Sequence, residues 1–181
     1  MSFQDGELMS FTLNENIRQQ SRMFEALDYL SHTEAGIGIP AEKDHHSGPF
    51  TASELLYLHE RGCPANHLPP RPVMEPALSD AKVQADMAEA LLGALDSALE
   101  GDPAGAEAGL EKTGQIGTDA LRNYILDGSH LAPNAPVTIH GGWMRSHVSG
   151  KPVHIPGKSG DTPLLDTGEL VNSFGCKIRS K

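Results

Sequence analysis

The segment that decides the fold spans residues 79–127 and reads SDAKVQADMAEALLGALDSALEGDPAGAEAGLEKTGQIGTDALRNYILD. In its first part, alanines flank an apolar stripe that recurs every four positions, at Val83, Met87, Leu91, Leu95 and Leu99. Residues with this spacing share one face of an α-helix. The pattern therefore predicts a helix over residues 79–99 that buries its leucine stripe.

A second helix is predicted directly after the first. Gly101 can end the first helix, Asp102 can cap the next one, and Pro103 is tolerated in a first turn. The second helix extends to about residue 127 and contains glycines at positions 105, 109, 114 and 117. An internal glycine costs up to about 1 kcal/mol relative to alanine, so close approach of another backbone would be a reason to keep them. We expect a tight antiparallel helix pair.

Upstream of this pair, the patterns are shorter. Residues 1–13 are polar with scattered apolar positions and are predicted to form a flexible N-terminal arm. Residues 14–30 carry an apolar stripe typical of an amphipathic helix, and residues 34–40 alternate glycine with apolar residues as a short strand does. Thr51 and Glu54 have the spacing of a capping box, which predicts a helix that ends near residue 61.

Two extended segments attract attention as contact surfaces. Residues 68–72 read LPPRP, and we call them the rod because proline holds its φ near −65° and disfavours helix in the preceding residue. Residues 165–170 read LDTGEL, and we call them the turn because Asp, Thr and Gly favour one. Docking of the rod would lose little conformational entropy, and Arg71 could offer its guanidinium to a carboxylate of a partner.

The remaining sequence completes an α+β prediction. Residues 129–162 are rich in glycine and proline and predict a long loop, with strands at 137–140 and 153–155. A terminal strand is expected at 173–178. The expected fold is a small antiparallel or mixed sheet packed against two main helices, with an N-terminal helix and long loops. Residues 14–181 are predicted to form a single domain.

Composition excludes several functional classes. The chain has 24 acidic residues against 14 lysines and arginines, a net charge of −10, so it lacks the basic surface that binds nucleic acid. The uninterrupted apolar runs fall far short of the roughly 20 residues that span a membrane, and no signal peptide is recognisable. These features predict a cytosolic protein. Cys63 and Cys176 are far apart in the sequence and are expected to be unpaired thiols.

Catalytic and metal chemistry find little support in the motifs. One alternative is a metal-dependent enzyme that uses the residues with zinc-ligand chemistry between positions 45 and 67, which are His45, His46, His59, Cys63 and His67. Their spacing matches no established ligand pattern, and no nucleophile motif is present. We therefore assign no catalytic, cofactor or metal residue. Trp143 could be an interface anchor or could cover the local core.

Three segments, taken in order, resemble the tail completion or head–tail joining proteins of tailed bacteriophages, including the minor tail proteins of the lambda-like and HK97-like groups. Residues 36–40 (GIGIP) and 52–64 (ASELLYLHERGCP) are similar to a glycine-spaced strand followed by an "aelaaihEfGt" helix. Residues 68–77 (LPPRPVMEPA) are similar to "iPaRpFlrpa", with Val73 where Phe is commoner. Residues 163–173 (PLLDTGELVNS) are similar to "PLidTGqLrnS". The resemblance covers roughly residues 36–178, except for a longer, unmatched stretch at 130–160.

The resemblance implies a virion protein that acts by fitting at the phage neck or tail top, without catalysis. It implies a ring of several copies, hexameric in the family, that contacts neighbouring neck, connector and tail tube proteins, and assembly in the host cytoplasm. Together with the rigidity of the rod and the turn, it predicts interface residues at Leu68, Pro69, Pro70, Arg71, Pro72, Leu165, Asp166, Thr167, Gly168 and Leu170. A cytosolic adaptor that binds a peptide through the rod is a third interpretation.

Overall fold

The computed structural model describes residues 4–146, 149–158 and 160–181, and for residues 4–13 and 66 it describes the backbone alone. In this part of the chain, seven α-helices and two antiparallel two-stranded sheets confirm the predicted α+β class. The chain divides into two compact units. The first unit comprises Met1–Gly36, Gln84–Ile116 and Cys176–Lys181, and the second comprises Ile37–Val83 and Gly117–Gly175.

The helices and strands follow one another in an order that interleaves both units. Short 3₁₀ turns lie at Ala41–Lys43 and Pro64–Asn66. The elements are α1 (Gln4–His32), β1 (Thr33–Gly38), α2 (Ala52–Arg61), α3 (Met74–Leu78), α4 (Ala81–Leu99), α5 (Pro103–Asp127), α6 (Pro136–His140), β2 (Gly142–Arg145), β3 (Pro152–Ile155), α7 (Glu169–Ser173) and β4 (Gly175–Ser180).

The first unit packs α1, α4 and α5 through small side chains. Ala26, Ala98 and Ala106 are completely buried, and Leu27 and Leu30 pack against them. The α4 helix is present as predicted, but the prediction of its buried face is wrong. Its buried residues are alanines at positions 90, 94 and 98, whereas the leucines of the predicted stripe are substantially exposed.

Close approach of α4 and α5 explains why alanines occupy the buried face. A Cβ added at Gly109 of α5 would lie 2.6 Å from the Cβ and 2.8 Å from the Cα of Ala94. A Cβ at Gly105 would lie 2.8 Å from the hydroxyl oxygen of Ser97. Leucines cannot fit between backbones this close, so the smaller residues face inward. The prediction that glycines mark a close backbone approach is confirmed at Gly109, whereas Gly105 lies against side-chain atoms.

The N-terminal helix extends further than predicted, and the terminal strand, predicted at 173–178, lies two residues later at Gly175–Ser180. The α1 helix begins at Gln4, so residues 4–13, predicted as an arm, have helical backbone. The sheet of the first unit pairs β1 with β4, and the Lys181 amide donates to the His32 carbonyl at 2.8 Å next to it. On its surface, Arg179 Nε donates to Glu34 Oε1 at 2.6 Å.

The second unit has its own hydrophobic core, built mainly by helices. The fully buried side chains Val73, Leu121, Ile125 and Phe174 lie at its centre. The capping box predicted at the start of α2 is confirmed. Glu54 N donates to Thr51 Oγ1 at 3.3 Å, and Thr51 N donates to Glu54 Oε2 at 2.9 Å.

The long loop of the second unit contains more structure than its composition indicated. The strand predicted at 153–155 is confirmed, and β3 pairs antiparallel with β2, with Trp143 opposite His154. The strand predicted at 137–140 is wrong, because these residues belong to helix α6. Pro136 begins this helix, where its missing N–H has no effect, and Thr138 N donates to Ala135 O at 2.9 Å. The expected sheet is thus two separate two-stranded sheets.

Candidate functional site

The rod and the turn, nearly a hundred residues apart in the sequence, border the same cavity in the second unit. This cavity has a volume of about 780 Å³, within the range of ligand pockets. Eight of the ten predicted interface residues line it: Leu68, Pro69, Arg71, Leu165, Asp166, Thr167, Gly168 and Leu170. The other two, Pro70 and Pro72, are exposed. The remaining lining residues come mainly from α2, α6, β3 and the loop before α6.

Backbone hydrogen bonds fix the rod against the end of α2. Cys63 and Leu68 form an antiparallel bridge, in which the Cys63 N–H donates at 2.9 Å and the Leu68 N–H donates at 3.0 Å. The Arg71 N–H donates to the His59 carbonyl at 2.6 Å. The rod is therefore held in place by its own unit.

The Glu60 carboxylate secures the residues that follow the rod. Its Oε1 accepts from the backbone N–H groups of Val73 and Met74, both at 2.8 Å. These N–H groups belong to the first turn of α3, where a helix leaves its donors unpaired. Sequence analysis gave Glu60 no role, because its partners are backbone N–H groups and leave no side-chain motif.

Arg71 is buried, contrary to the prediction that its guanidinium is offered to a partner. Only 5% of the residue is exposed. Nε donates to the Ala132 carbonyl at 2.7 Å and Nη2 donates to the Pro133 carbonyl at 2.9 Å. The guanidinium thus binds the backbone of the loop before α6, and burial lowers the pKa of Arg71 from its usual value. The positive charge of Arg71 therefore interacts with backbone carbonyls of its own unit.

His59 lies beside Arg71, and one of its ring nitrogens is buried. Its Nδ1 is buried without a hydrogen-bond partner among the described residues. Burial, and then the positive charge of Arg71, lower the pKa of His59 to about 4. The imidazole is therefore neutral near pH 7.

Lys158 is the second cation of the cavity. Its Nζ donates to the carbonyls of Thr162 and Leu165, the latter at 2.7 Å. Burial lowers the pKa of Lys158, while the carboxylate of Asp166 acts in the opposite direction. Sequence analysis gave Lys158 no role, because its partners are backbone carbonyls and leave no side-chain motif.

The turn adopts the conformation that its composition predicted but exposes fewer of its side chains. Gly168 has φ +82°, a left-handed conformation that favours glycine, and α7 begins immediately after it. Leu170, predicted as an interface residue, is only 4% exposed and belongs to the core. Asp166 and Thr167 are exposed. Leu165 is half-buried against the core.

The side chain of Glu169 links the start of α7 to the loop before α2 by hydrogen bonds. Its Oε2 accepts from the Ser47 hydroxyl at 2.8 Å and from the Ser47 N–H at 3.1 Å. These hydrogen bonds, the backbone one first, lower the pKa of Glu169. His46 Nε2 lies 3.4 Å from the same oxygen and forms an ion pair when protonated.

Of the residues considered as metal ligands, His46, His59 and His67 line the cavity. His46 lies 3.4 Å from Glu169, His59 is half-buried beside Arg71, and Cys63 lies in the backbone bridge. Within residues 4–146, 149–158 and 160–181, no three His, Cys, Asp or Glu side chains are grouped so that they could hold a metal ion. No helix in the same ranges is long and apolar enough to cross a membrane.

Trp143 is the most exposed of the large apolar side chains described. On strand β2 it is 72% exposed, and its ring meets His154 edge-on at a centroid distance of 5.2 Å. This placement contradicts the interpretation that it covers the local core. The alternative, an anchor for an interface, stays a prediction.

The cavity is lined by aliphatic and proline side chains and by two cationic side chains that bind backbone carbonyls around it. Arg71 and Lys158 each bind two carbonyls of the loop segments around the cavity. These hydrogen bonds link the rod to the loop before α6 and Lys158 to the turn. A scan against protein-family models and searches of the curated proteins and of the solved structures found no match to this chain.

Proposed function

We propose that this chain is a structural protein of a tailed-bacteriophage virion, located at the neck or tail top. There, a ring of several copies joins or completes the tail for head attachment. The observation that carries this proposal is the convergence of the rod and the turn on one cavity. Both segments belong to the ordered set that resembles tail completion proteins, and their meeting at one place supports a shared contact role.

The exposed part of this surface has the rigidity that a contact requires. Pro69, Pro70 and Pro72 of the rod and Asp166 and Thr167 of the turn are exposed. The hydrogen bonds of Arg71 and Lys158 hold the segments around them. Binding to a preorganised surface loses less conformational entropy, so exposed prolines on a fixed backbone favour assembly of many copies.

The proposal assigns partners and location together. The chain contacts other copies of itself in a ring, hexameric by the resemblance, as well as neighbouring neck, connector and tail tube proteins. It assembles in the host cytoplasm and remains in the virion. Catalysis, a cofactor, a membrane and sequence-specific binding of nucleic acid have no part in this function.

The test is assembly of particles with a charge introduced into the contact surface. In a phage that encodes this chain, we expect the double variant Pro69→Arg and Thr167→Arg to yield separate heads and tails under electron microscopy. The purified variant should keep the far-ultraviolet circular dichroism of the natural chain, because both positions are exposed.

A matched control adds the same charge elsewhere on the second unit. Asn123 and Leu126 are exposed on α5 and do not line the cavity, so Asn123→Arg with Leu126→Arg should assemble normal particles. Normal particles from the double variant would contradict the contact role of the rod and the turn. Absence of the protein from purified particles of the natural phage would contradict the virion function itself.

A further inference from the structure

Two cations line the cavity of the second unit and form no ion pair with the described part of the chain. The hydrogen bonds of Arg71 and Lys158 go to backbone carbonyls and to the amide oxygen of Asn134. No described carboxylate lies within ion-pair distance of either side chain. A charge removed from water is normally paired with an opposite charge, because its burial is unfavourable. A group that would neutralise these cations is thus lacking in the described chain.

Both cations keep hydrogen-bond donors that the described residues do not use. A guanidinium has five N–H donors, and the described acceptors of Arg71 occupy its Nε and Nη2 but not its Nη1. The ammonium group of Lys158 has three donors and binds two carbonyls. A flat partner surface cannot reach Arg71, which is only 5% exposed. A group inside the cavity can reach it, because Arg71 lines the cavity.

Two acidic residues that line the cavity do not pair with these cations. The carboxylate of Glu169 accepts hydrogen bonds from Ser47, on the side of the loop before α2. Asp166 is exposed on the turn. Burial lowers the pKa of Lys158, the carboxylate of Asp166 acts in the opposite direction, and the charge of Arg71 lowers this pKa further. The two cations therefore repel each other, and an anion bound to both would relieve the repulsion.

The wall beside the cations is mainly apolar. It includes half-buried aliphatic side chains from α2, α6, β3 and the start of the turn, which are Leu55, Val137, Ile155, Leu164 and Leu165. A pocket with apolar walls and a few convergent polar groups is the usual form of a ligand site.

The backbone of the cavity wall is strained at two positions. His67 has φ +54° and Leu164 has φ +61°, and no other non-glycine residue of the described ranges has a positive φ. Both of these residues line the cavity. Strained backbone of this kind is concentrated at functional sites, where the surrounding structure maintains it. The strain therefore agrees with the charges in marking this cavity as a binding site.

We propose that the cavity binds an aliphatic carboxylate, with the carboxylate on Arg71 and Lys158 and the aliphatic part against the apolar wall. The volume of about 780 Å³ accommodates a small organic molecule. Hydrogen bonds between charged groups are stronger than neutral ones, so the charged end of the ligand faces the cations. The carboxylate can belong to a free acid or to the C-terminal residue of a partner chain. The inference does not rest on the proposed virion function, since it concerns the inside of the cavity and not its exposed rim.

Isothermal titration calorimetry of the purified full chain with octanoate and octanamide tests the requirement for charge. The two probes have the same length, and octanoate should bind at least about tenfold more tightly because only octanoate is charged. Lys158→Met removes the cation but keeps an unbranched side chain, and it should weaken octanoate binding by about tenfold. The matched control Lys151→Met removes a cation at an exposed position outside the cavity and should bind octanoate like the natural chain.

Methyl NMR spectra of the natural chain locate the ligand without any substitution. Octanoate should shift the methyl signals of Val137, Ile155 and Leu165, which line the cavity. The methyl signals of Leu91 and Leu92, which are exposed on α4, should not move. This measurement decides the question even if Lys158→Met fails to fold.

A second pair of probes identifies the source of the carboxylate. The dipeptide N-acetyl-leucyl-leucine and its C-terminal amide have the same side chains and differ only in the carboxylate. Tighter binding of the dipeptide acid than of octanoate would identify the C-terminus of a partner, and the reverse order would identify a free acid. Four results would overturn the proposal: equal affinity for octanoate and octanamide, methyl shifts confined to α4, unchanged octanoate binding by folded Lys158→Met, or no binding of either acid.

Discussion

Two glycines in the helix pair should respond in opposite ways to the same substitution. Gly93 lies on the exposed side of α4, and no described atom is within 4 Å of a Cβ built there. Gly109 lies in the contact with α4, where an added Cβ would be 2.6 Å from the Cβ of Ala94 and 2.9 Å from its backbone nitrogen. Alanine at Gly93 should stabilise the protein, and alanine at Gly109 should destabilise it.

The magnitudes follow from two separate effects. Replacement of an internal helix glycine by alanine favours the helix by about 1 kcal/mol at either position. At Gly109 the added methyl group also forces the two helices apart, and such overpacking costs about 1–3 kcal/mol. We therefore expect Gly93→Ala to raise the free energy of unfolding by up to about 1 kcal/mol. Gly109→Ala should lower it by up to about 2 kcal/mol, the overpacking cost less the helix gain.

Urea denaturation followed by circular dichroism measures both values, at a protein concentration low enough to keep the chain monomeric. The difference between the two variants isolates the overpacking effect, because helix propensity contributes equally to each. Equal stabilisation by the two substitutions would refute the close approach of α4 and α5 at Gly109. A changed slope of unfolding against urea in either variant would show that the unfolded state had changed as well.

Three further predictions concern the second unit. Arg71→Met removes two hydrogen bonds from a buried guanidinium and should lower the free energy of unfolding by about 2–3 kcal/mol. The control Arg61→Met, at an exposed position, should change it by less than about 1 kcal/mol. Similar urea midpoints for the two variants would contradict this prediction. The pKa of His59 is about 4 in the folded chain and roughly 6.5 in the unfolded chain. Between these two pH values the unfolded chain binds more protons than the folded chain. The free energy of unfolding should therefore fall as the pH falls through this range. His59→Asn should flatten this part of the stability profile, and an unaltered profile would count against the buried imidazole. Thr51→Ala removes the cap of α2 and should cost about 1 kcal/mol in thermal or urea unfolding; an unchanged stability would mean that the cap contributes nothing.

The burial of Arg71 alters how substitutions in the contact surface must be designed. Reversal of charge at Arg71 would be expected from the sequence to spare the folded monomer. The structure shows that Arg71 donates to two loop carbonyls inside the unit, so Arg71→Glu would leave those carbonyls unpaired and bury an opposite charge. A loss of assembly in that variant would report misfolding as readily as a lost contact. Exposed positions such as Pro69 and Thr167 avoid this ambiguity.

The sequence by itself determined the local features of the backbone, such as helix caps and turns. The capping box of α2, the glycine, aspartate and proline between α4 and α5, and the glycine of the turn act on residues within a few positions of themselves. Their stereochemistry is therefore the same whatever surrounds them. The α+β class followed from the same local periodicities. Of the glycines of α5, Gly109 marks the close backbone approach that the sequence offered as a reason for them, and the other three lie against side chains.

Only the tertiary structure decided which surfaces are buried and which residues meet. On α4, both the alanine and the leucine faces are apolar at helical spacing, so periodicity could not choose between them; the close approach of Gly109 to Ala94 selects the small residues. At the cavity, Arg71 and Lys158 bind backbone carbonyls, and a carbonyl exists at every residue of every sequence. No pattern of side chains marks the one that will be the acceptor. The partner of a long cation is set by the path of the folded chain, which brings residues far apart in sequence to the same place.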